Sequence, residues 1–248
     1  MSHLASRPSS RDFLSRRMLA AQKSIFGRRT PQAGVFFHYP PLQSEAEERV
    51  NGLTHGVAAL VSLAGGVWLI AAASRQGEAL MVAGCAAYCA SLTAVLTMST
   101  LSHVVGPPRQ RQLFRALDQA AIYLLTAGSF TPYFIRFVLP QGWGWLLVAV
   151  WGIAIMGACD KLRGGRVNSV SIVGYLLLGW SPLLAAKPLL SGMPPGCLAL
   201  VLSAGACYML GVVFLVCDDR CRFFHAIWHL LVVAASACTY AGIALYII

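Results

Sequence analysis

Charged side chains are scarce in this sequence. Only 11% of its 248 residues are Asp, Glu, Lys or Arg, whereas 57% are hydrophobic. Soluble domains carry about 25% charged residues, so this chain cannot cover a water-facing surface with polar side chains. The scarcity of charge therefore excludes a soluble protein and indicates an integral membrane protein.

Two sequence patterns are also missing. No apolar core of a cleavable secretory signal precedes the first long apolar stretch, so we expect that stretch itself to direct membrane insertion. The apolar stretches are continuous and lack the period-two alternation of strands in a membrane barrel. We therefore expect the apolar stretches to be helices, because a helix satisfies its backbone hydrogen bonds within one lipid-embedded segment.

Seven apolar stretches are long enough, or nearly so, to cross a hydrocarbon core of about 30 Å. The fourth is short, which makes its ends the hardest to place. We therefore predict an all-α integral membrane protein whose single membrane domain is a seven-transmembrane helix bundle. The predicted spans are Asn51–Ala73, Ala79–Val104, Leu117–Leu139, Trp143–Cys159, Asn168–Ala186, Gly196–Cys217 and Phe224–Ile248.

Basic residues are distributed unevenly about these spans. Sixteen of the nineteen Lys and Arg residues precede the first span or follow the second, fourth and sixth, and only Arg75, Arg136 and Lys187 fall on the other side. The positive-inside rule then predicts a cytoplasmic N-terminus and a C-terminus outside. Cytoplasmic loops facing anionic lipid headgroups account for the net charge of +10, so we expect no nucleic-acid partner.

Residues 1–47 are predicted to form a basic cytoplasmic tail, and residues 48–248 the membrane domain. Within the tail, Leu14, Met18, Ala21 and Ile25 recur on one helical stripe, as in an amphipathic helix on a membrane surface. A disordered tail or a mitochondrial transit peptide would have a similar composition.

The eight cysteines lie inside or close to the ends of apolar spans. We interpret them as small hydrophobic side chains. The pair in CDDRC, Cys217 and Cys221, has a spacing that could hold a metal, but no second pair accompanies it, so we interpret it as structural.

Histidines and one acid concentrate at one end of the predicted bundle. His55 begins the first span, His103 ends the second, Asp118 begins the third, and His225 and His229 begin the seventh. With these span directions all five lie in one membrane leaflet. The orientation was inferred from Lys and Arg alone, so this convergence is an independent observation.

This cluster has the composition of a catalytic zinc site. Residues four apart on a helix face the same way, so His225 and His229 can bind one ion, and His103 is the best third ligand. Three ligands leave the fourth tetrahedral position for water, as in catalytic rather than structural zinc sites. Asp118 is the only carboxylate inside the predicted spans, where a buried acid is costly unless it serves a partner, and it could orient or deprotonate that water. Ser99, one turn before His103, could donate a hydrogen bond to a developing oxyanion.

Simpler interpretations exist for each residue taken singly. A histidine at a membrane interface is often ordinary, and Asp118 could be an early-turn acid paired with Arg115. Glu48, Asn51 and His55 share one helical face and either support the metal ligands from the first helix or form the polar entry of that helix. The joint pattern of three histidines and one acid favours the metal site.

Four motifs resemble the progestin and adipoQ receptor family, which includes adiponectin receptors and bacterial hemolysin III proteins. They are ERVNGLTH (48–55), STLSH (99–103), LDQAAIYLLTAGSFTP (117–132) and HAIWHLLVVAA (225–235). The resemblance implies zinc held by His103, His225 and His229 with Asp118 and Ser99 nearby, a cytoplasmic N-terminus and, for adiponectin receptors, hydrolysis of ceramide. The N-terminal segment is short for an adiponectin receptor and the chain stops at the seventh span, which favours a hemolysin III-like branch.

Three functions then compete. The first is a zinc-dependent hydrolase of a lipid amide, ceramide-like, or ester, with a role in membrane lipid homeostasis or signalling. The second is a receptor or lipid sensor in which zinc is structural and cytoplasmic proteins are the partners. The third is a pore or transporter, which the few polar residues of spans four to six argue against. We expect the hydrolase. Pro132 and Pro182 are either kinks that shape a lipid cavity or ordinary membrane-helix prolines.

Overall fold

The computed structural model describes residues 43–164 and 170–248. Within these ranges the regular structure is helical and contains no β-strand. Seven spans are long and apolar enough to cross a membrane, which confirms the predicted seven-helix bundle. The amphipathic stripe predicted in the tail lies outside the described residues. The orientation of the termini stays a prediction.

In residues 43–164 and 170–248, eight α-helices build the seven spans. The third span continues from α3 through a π-helical turn, Phe134–Val138, and a 3-10 turn, Leu139–Gln141. The fifth span consists of α5 and α6 joined by the 3-10 turn Ser181–Ala185. The helices are α1 Glu45–Gln76, α2 Ala79–Val104, α3 Pro108–Tyr133, α4 Gly144–Gly164, α5 Val170–Trp180, α6 Ala186–Gly192, α7 Pro195–Val216 and α8 Phe224–Tyr246.

Two helices begin earlier than the hydropathy of the sequence indicates. The predicted spans start at Asn51 and Leu117, whereas α1 starts at Glu45 and α3 at Pro108. Local signals set these starts: Ser44 and Glu47 form a reciprocal capping box, and Pro108 occupies the first turn of α3. His55 and Asp118 therefore lie well inside their helices rather than at the helix ends where we expected them.

Both prolines singled out in the sequence coincide with departures from α-helical geometry. Pro132 lies inside α3, just before the π-helical turn, and Pro182 lies in the 3-10 turn that divides the fifth span. Proline has no backbone N–H and its ring clashes with the preceding turn, so the regular hydrogen-bond ladder cannot run through it unchanged.

The core is divided between two groups of helices. Apolar side chains of α1, α2, α3 and α8 pack around Leu69, Tyr88, Leu96 and Ile243. A second cluster joins α3 to α4 and α5. Two tyrosine hydroxyls donate to carbonyls of α8, Tyr88 to Ser236 and Tyr133 to Thr239, each at 2.9 Å. The packing brings the start of α1, the end of α2 and the start of α8 together, and there the histidines meet.

Candidate metal centre

Three histidines from two helices converge at one end of the bundle. His103 lies in the last turn of α2, and His225 and His229 lie in the first two turns of α8. One ring nitrogen from each lies within 4.8 Å of those of the other two. His103 and His229 are buried and His225 is half-buried. The H-x3-H spacing and the antiparallel approach of α2 thus assemble a three-nitrogen donor group.

Each of these rings has an oxygen acceptor at its Nδ1 atom. His103 donates to Glu48 Oε2 at 2.7 Å, and His225 donates to Asp218 Oδ2 at 2.9 Å. His229 donates to the carbonyl oxygen of Asn51 at 3.2 Å. Carboxylate and carbonyl oxygens only accept, so Nδ1 carries the hydrogen in all three neutral rings. The Nε2 atoms are therefore the unprotonated nitrogens.

This donor set fits zinc. Zinc binds imidazole nitrogen, and metal-binding histidines almost always donate their other ring N–H to a carboxylate, carbonyl or water. Such partners fix the ring orientation and increase the basicity of the ligating nitrogen. All three histidines meet this condition with protein partners alone.

Glu48 connects three helices at this end of the bundle. Besides accepting from His103, its Oε1 atom lies 3.4 Å from Arg111 Nη1 and 3.9 Å from Arg115 Nη2 on α3. The Glu48 side chain is only 13% exposed, although it belongs to the first turn of α1. Two arginines thus balance a nearly buried carboxylate, which stays available as an acceptor for His103.

His55 packs against the donor group without belonging to it. Its ring stacks on His229 with centroids 3.7 Å apart. His55 Nδ1 lies 2.8 Å from Ser99 Oγ, and its Nε2 lies 3.3 Å from the carbonyl oxygen of His229. The Ser99 hydroxyl that we expected to face a reacting oxygen is therefore hydrogen-bonded to His55.

Asp118 makes no direct contact with the donor group. It is half-buried in α3, it is not part of the donor group, and it forms no hydrogen bond or ion pair with any residue in the described ranges. Arg115, which the simpler interpretation paired with Asp118, forms an ion pair with Glu48 instead. The structure brings Glu48, Asn51, His55 and Ser99 around the three histidines but does not connect Asp118 to them by a direct contact.

Two acidic residues at the site were missed in the sequence. Asp218 lies in CDDRC, a stretch we interpreted only through its cysteines, and its partner His225 is seven residues further on across a non-helical turn, so no helical spacing identifies the pair. Glu47 accepts a hydrogen bond from the backbone N–H of Phe223 at 3.0 Å and so connects α1 to the turn before α8. No local pattern identifies Glu47, because its partner lies far away in sequence.

Known proteins resemble the chain over nearly the whole described region. The family model described as haemolysin-III related matches residues 43–240. Hemolysin-3 of Bacillus cereus is 35% identical over 204 residues, which cover 82% of this chain and 92% of that protein. A Hemolysin-3 homolog of Bacillus subtilis (strain 168) is 30% identical over 201 residues, 81% of this chain and 94% of that protein. Human monocyte to macrophage differentiation factor is 30% identical over 171 residues, 64% and 68% of the two chains.

Proposed function

The chain belongs to the haemolysin-III-related family. We propose that it is a zinc-dependent hydrolase of an amide or ester bond in a membrane lipid. It is a seven-helix integral membrane protein, and the hemolysin III branch of the progestin and adipoQ receptor family fits it. The observation that carries the proposal is the donor group of His103, His225 and His229, with an oxygen acceptor at every Nδ1 atom.

The three histidines would hold zinc through their Nε2 atoms. When bound, zinc supplies Lewis-acid chemistry, which polarises a carbonyl and makes water a better nucleophile at neutral pH. The three ligands lie on membrane-spanning helices, so the reacting bond would be one that a lipid carries to the membrane interface. A ceramide-like amide meets this requirement, and so does a lipid ester.

Asp118 would act as the general base. Its carboxylate has no partner among the described side chains, so it is free to accept a proton from the attacking water and return it to the leaving amine or alkoxide. The water oxygen bonds to the acyl carbon as the C–N or C–O bond breaks, and the products are a fatty acid and an amine or alcohol.

Ser99 would donate a hydrogen bond to the developing oxyanion. A hydroxyl has one hydrogen, so Ser99 can do this only if His55 Nδ1 donates to Ser99 Oγ rather than accepting from it. In that tautomer His55 Nε2 carries no hydrogen and gives up its 3.3 Å contact with the carbonyl oxygen of His229, so this role of Ser99 requires a change of the His55 tautomer.

A receptor or lipid sensor with structural zinc is the second candidate. The observation that favours it is the number of elements that meet at the donor group: α2 and α8 supply the histidines, and α1 and the turn before α8 supply their acceptors. Zinc would then hold these elements together, and Asp118 would have no role in turnover.

Asp118→Asn separates the two functions. We expect the purified variant to keep its zinc content, because Asp118 is not in the donor group, and to lose turnover of amide or ester lipids in nanodiscs by at least about 100-fold, as for loss of a general base. Asp160→Asn, which makes the same charge change at an exposed position of α4, is the matched control. Equal turnover by Asp118→Asn and wild type, or no turnover by wild type, would contradict the hydrolase.

A further inference from the structure

Asp218 is an acidic residue of the turn between α7 and α8 whose side chain faces inward. The side chain is 13% exposed, and its Oδ2 atom lies 2.9 Å from His225 Nδ1. The neighbouring Asp219 is exposed, and in the part of the chain that the structure describes it forms no hydrogen bond or ion pair. Two adjacent aspartates thus have opposite environments, and only one of them contacts a histidine of the donor group.

The contact decides which nitrogen of His225 is free. A neutral imidazole without a partner populates both tautomers, whereas a carboxylate at Nδ1 selects the tautomer with hydrogen on Nδ1. The same hydrogen bond restricts rotation of the ring about its bond to Cβ. Of the two neutral tautomers, Asp218 therefore selects the one that leaves the Nε2 atom of His225 without a hydrogen, and it holds the ring in one direction.

His225 depends on such a contact more than the other two histidines do. His103 and His229 are buried, and His229 also stacks on His55, whereas His225 is half-buried in the first turn of α8. Packing therefore confines His225 least. The hydrogen bond from His225 Nδ1 to the Asp218 carboxylate restricts the orientation of the ring, which packing at the start of α8 does not.

The turn that carries Asp218 is itself held in place from α1. Phe223, the residue before α8, has φ of 63°, the one positive φ of a non-glycine residue in the described part of the chain. This backbone conformation is unfavourable for an aromatic residue and persists only where surrounding contacts hold it. The Phe223 N–H donates to Glu47 Oε1 at 3.0 Å, and the Arg222 guanidinium lies 5.3 Å from the Phe223 ring centroid.

We propose that Asp218 is the positioning residue for His225, and that Glu47 holds the α7–α8 turn so that Asp218 reaches this ring. The inference rests on the zinc centre of the proposed function but not on hydrolysis. Asp218 acts through His225 and touches neither the ion nor a substrate.

Cobalt binding tests the proposal. Metal-free wild type, Asp218→Ala, Asp218→Asn and Asp219→Ala proteins in nanodiscs are titrated with Co²⁺, and the dissociation constant and visible absorption spectrum are measured. We expect Asp218→Ala to bind about 10- to 100-fold more weakly with an altered spectrum, as for other partners of ligating histidines. Asp218→Asn should fall between Asp218→Ala and wild type, because its amide oxygen still accepts a hydrogen bond. Asp219→Ala should match wild type.

Thermal unfolding of the metal-free proteins separates positioning from turn closure. A lower unfolding temperature of Asp218→Ala, with wild-type Co²⁺ affinity and spectrum, would mean that Asp218 only closes the turn, and would overturn the proposal. Unchanged affinity, spectrum and stability would overturn it too. If wild type binds no Co²⁺, both the inference and the zinc centre fail. If Asp218→Ala binds more weakly but wild type shows no lipid turnover, the inference stands and the hydrolase fails.

Discussion

The helices around the histidines and the helices away from them differ in the side chains that they bury. Buried polar side chains in the described ranges belong to α1, α2, α3 and α8, apart from Lys161 on α4. In the described ranges α4 to α7 bury only apolar side chains apart from that lysine, whereas large outward-facing apolar side chains occur in both groups, among them Leu60 on α1 and Leu177 on α5. The polar half, α1, α2, α3 and α8, therefore holds its polar groups inside the protein, where other side chains can satisfy them, while both halves present apolar side chains to lipid.

The largest expected effect of a substitution in the polar half is loss of the metal. His225→Ala removes one of the three ligating nitrogens. The two imidazoles that remain, those of His103 and His229, are too few to retain zinc when a chelator competes for it. We expect zinc content, measured by elemental analysis of the purified protein, to fall from about one ion per chain to near zero. His38→Ala, outside residues 43–240 that match the family, is the control and should keep its zinc. Full zinc content in His225→Ala would remove this histidine from the donor group.

Glu48→Gln should have the next largest effect. The substitution replaces the carboxylate that accepts the hydrogen bond from His103 Nδ1 with a neutral amide. It also removes the negative charge that Arg111 and Arg115 share. We expect zinc affinity to fall by about 10- to 100-fold in a competition titration with a chromogenic chelator. Glu45→Gln makes the same change in an exposed ion pair with Arg49 and should leave the affinity unchanged. Equal affinities of the two variants would mean that Glu48 serves only helix packing.

Alanine substitutions at two glycines, one in each half, test how tightly the helices pack there. A Cβ at Gly128 on α3 would lie against Ser91 Oγ and 3.2 Å from the carbonyl oxygen of Ala87, whereas a Cβ at Gly152 on α4 would enter open space. We expect Gly128→Ala to lower the free energy of unfolding by about 1–3 kcal/mol through overpacking. Gly152→Ala should be neutral or stabilising by up to about 1 kcal/mol, because alanine favours the helix. Unfolding in a mixed-micelle denaturant titration measures both, and a larger loss for Gly152→Ala would reverse the assignment of the packed face.

The smallest effect is expected for Tyr88→Phe. The variant loses one buried hydrogen bond from α2 to the carbonyl of Ser236 and keeps the ring. Hydrogen bonds between membrane helices contribute about 0.6 kcal/mol on average, so we expect a loss near that value in the same unfolding titration. Leu202→Ala is the control, because this side chain lies on the outward face of α7 and its loss changes mainly contacts with lipid. A loss of several kcal/mol for Tyr88→Phe would indicate that its hydroxyl belongs to a larger polar network.

Much of the fold was predictable because hydropathy is a local property. All seven predicted spans coincide with helices, and the second was placed with its ends at Ala79 and Val104 as the structure has them. The starts of α1 and α3 were missed because their first turns are charged and extend beyond the apolar segment. Caps and prolines, not hydropathy, decide where those helices begin.

The candidate site was predictable in its residue types but not in its contacts. The H-x3-H spacing of His225 and His229 and the antiparallel order of the spans were enough to bring His103 into the same group. The pairing of Ser99 with His55 and of Arg115 with Glu48 was not foreseen, because each joins residues on different helices. Which side chains meet across two helices depends on their rotation and register, and hydropathy reports neither.

Apolar length and helical spacing follow from the order of residues alone, and they are enough to predict a seven-helix membrane protein with three histidines and one acid near one end of the bundle. The contacts of Glu48, Asp218 and the carbonyl of Asn51 with the three rings are visible only in the folded structure. His103 and Glu48, or His229 and Asn51, meet only after whole helices have packed. Hydrogen bonds form over about 3 Å, so their partners are set by packing that no single segment contains.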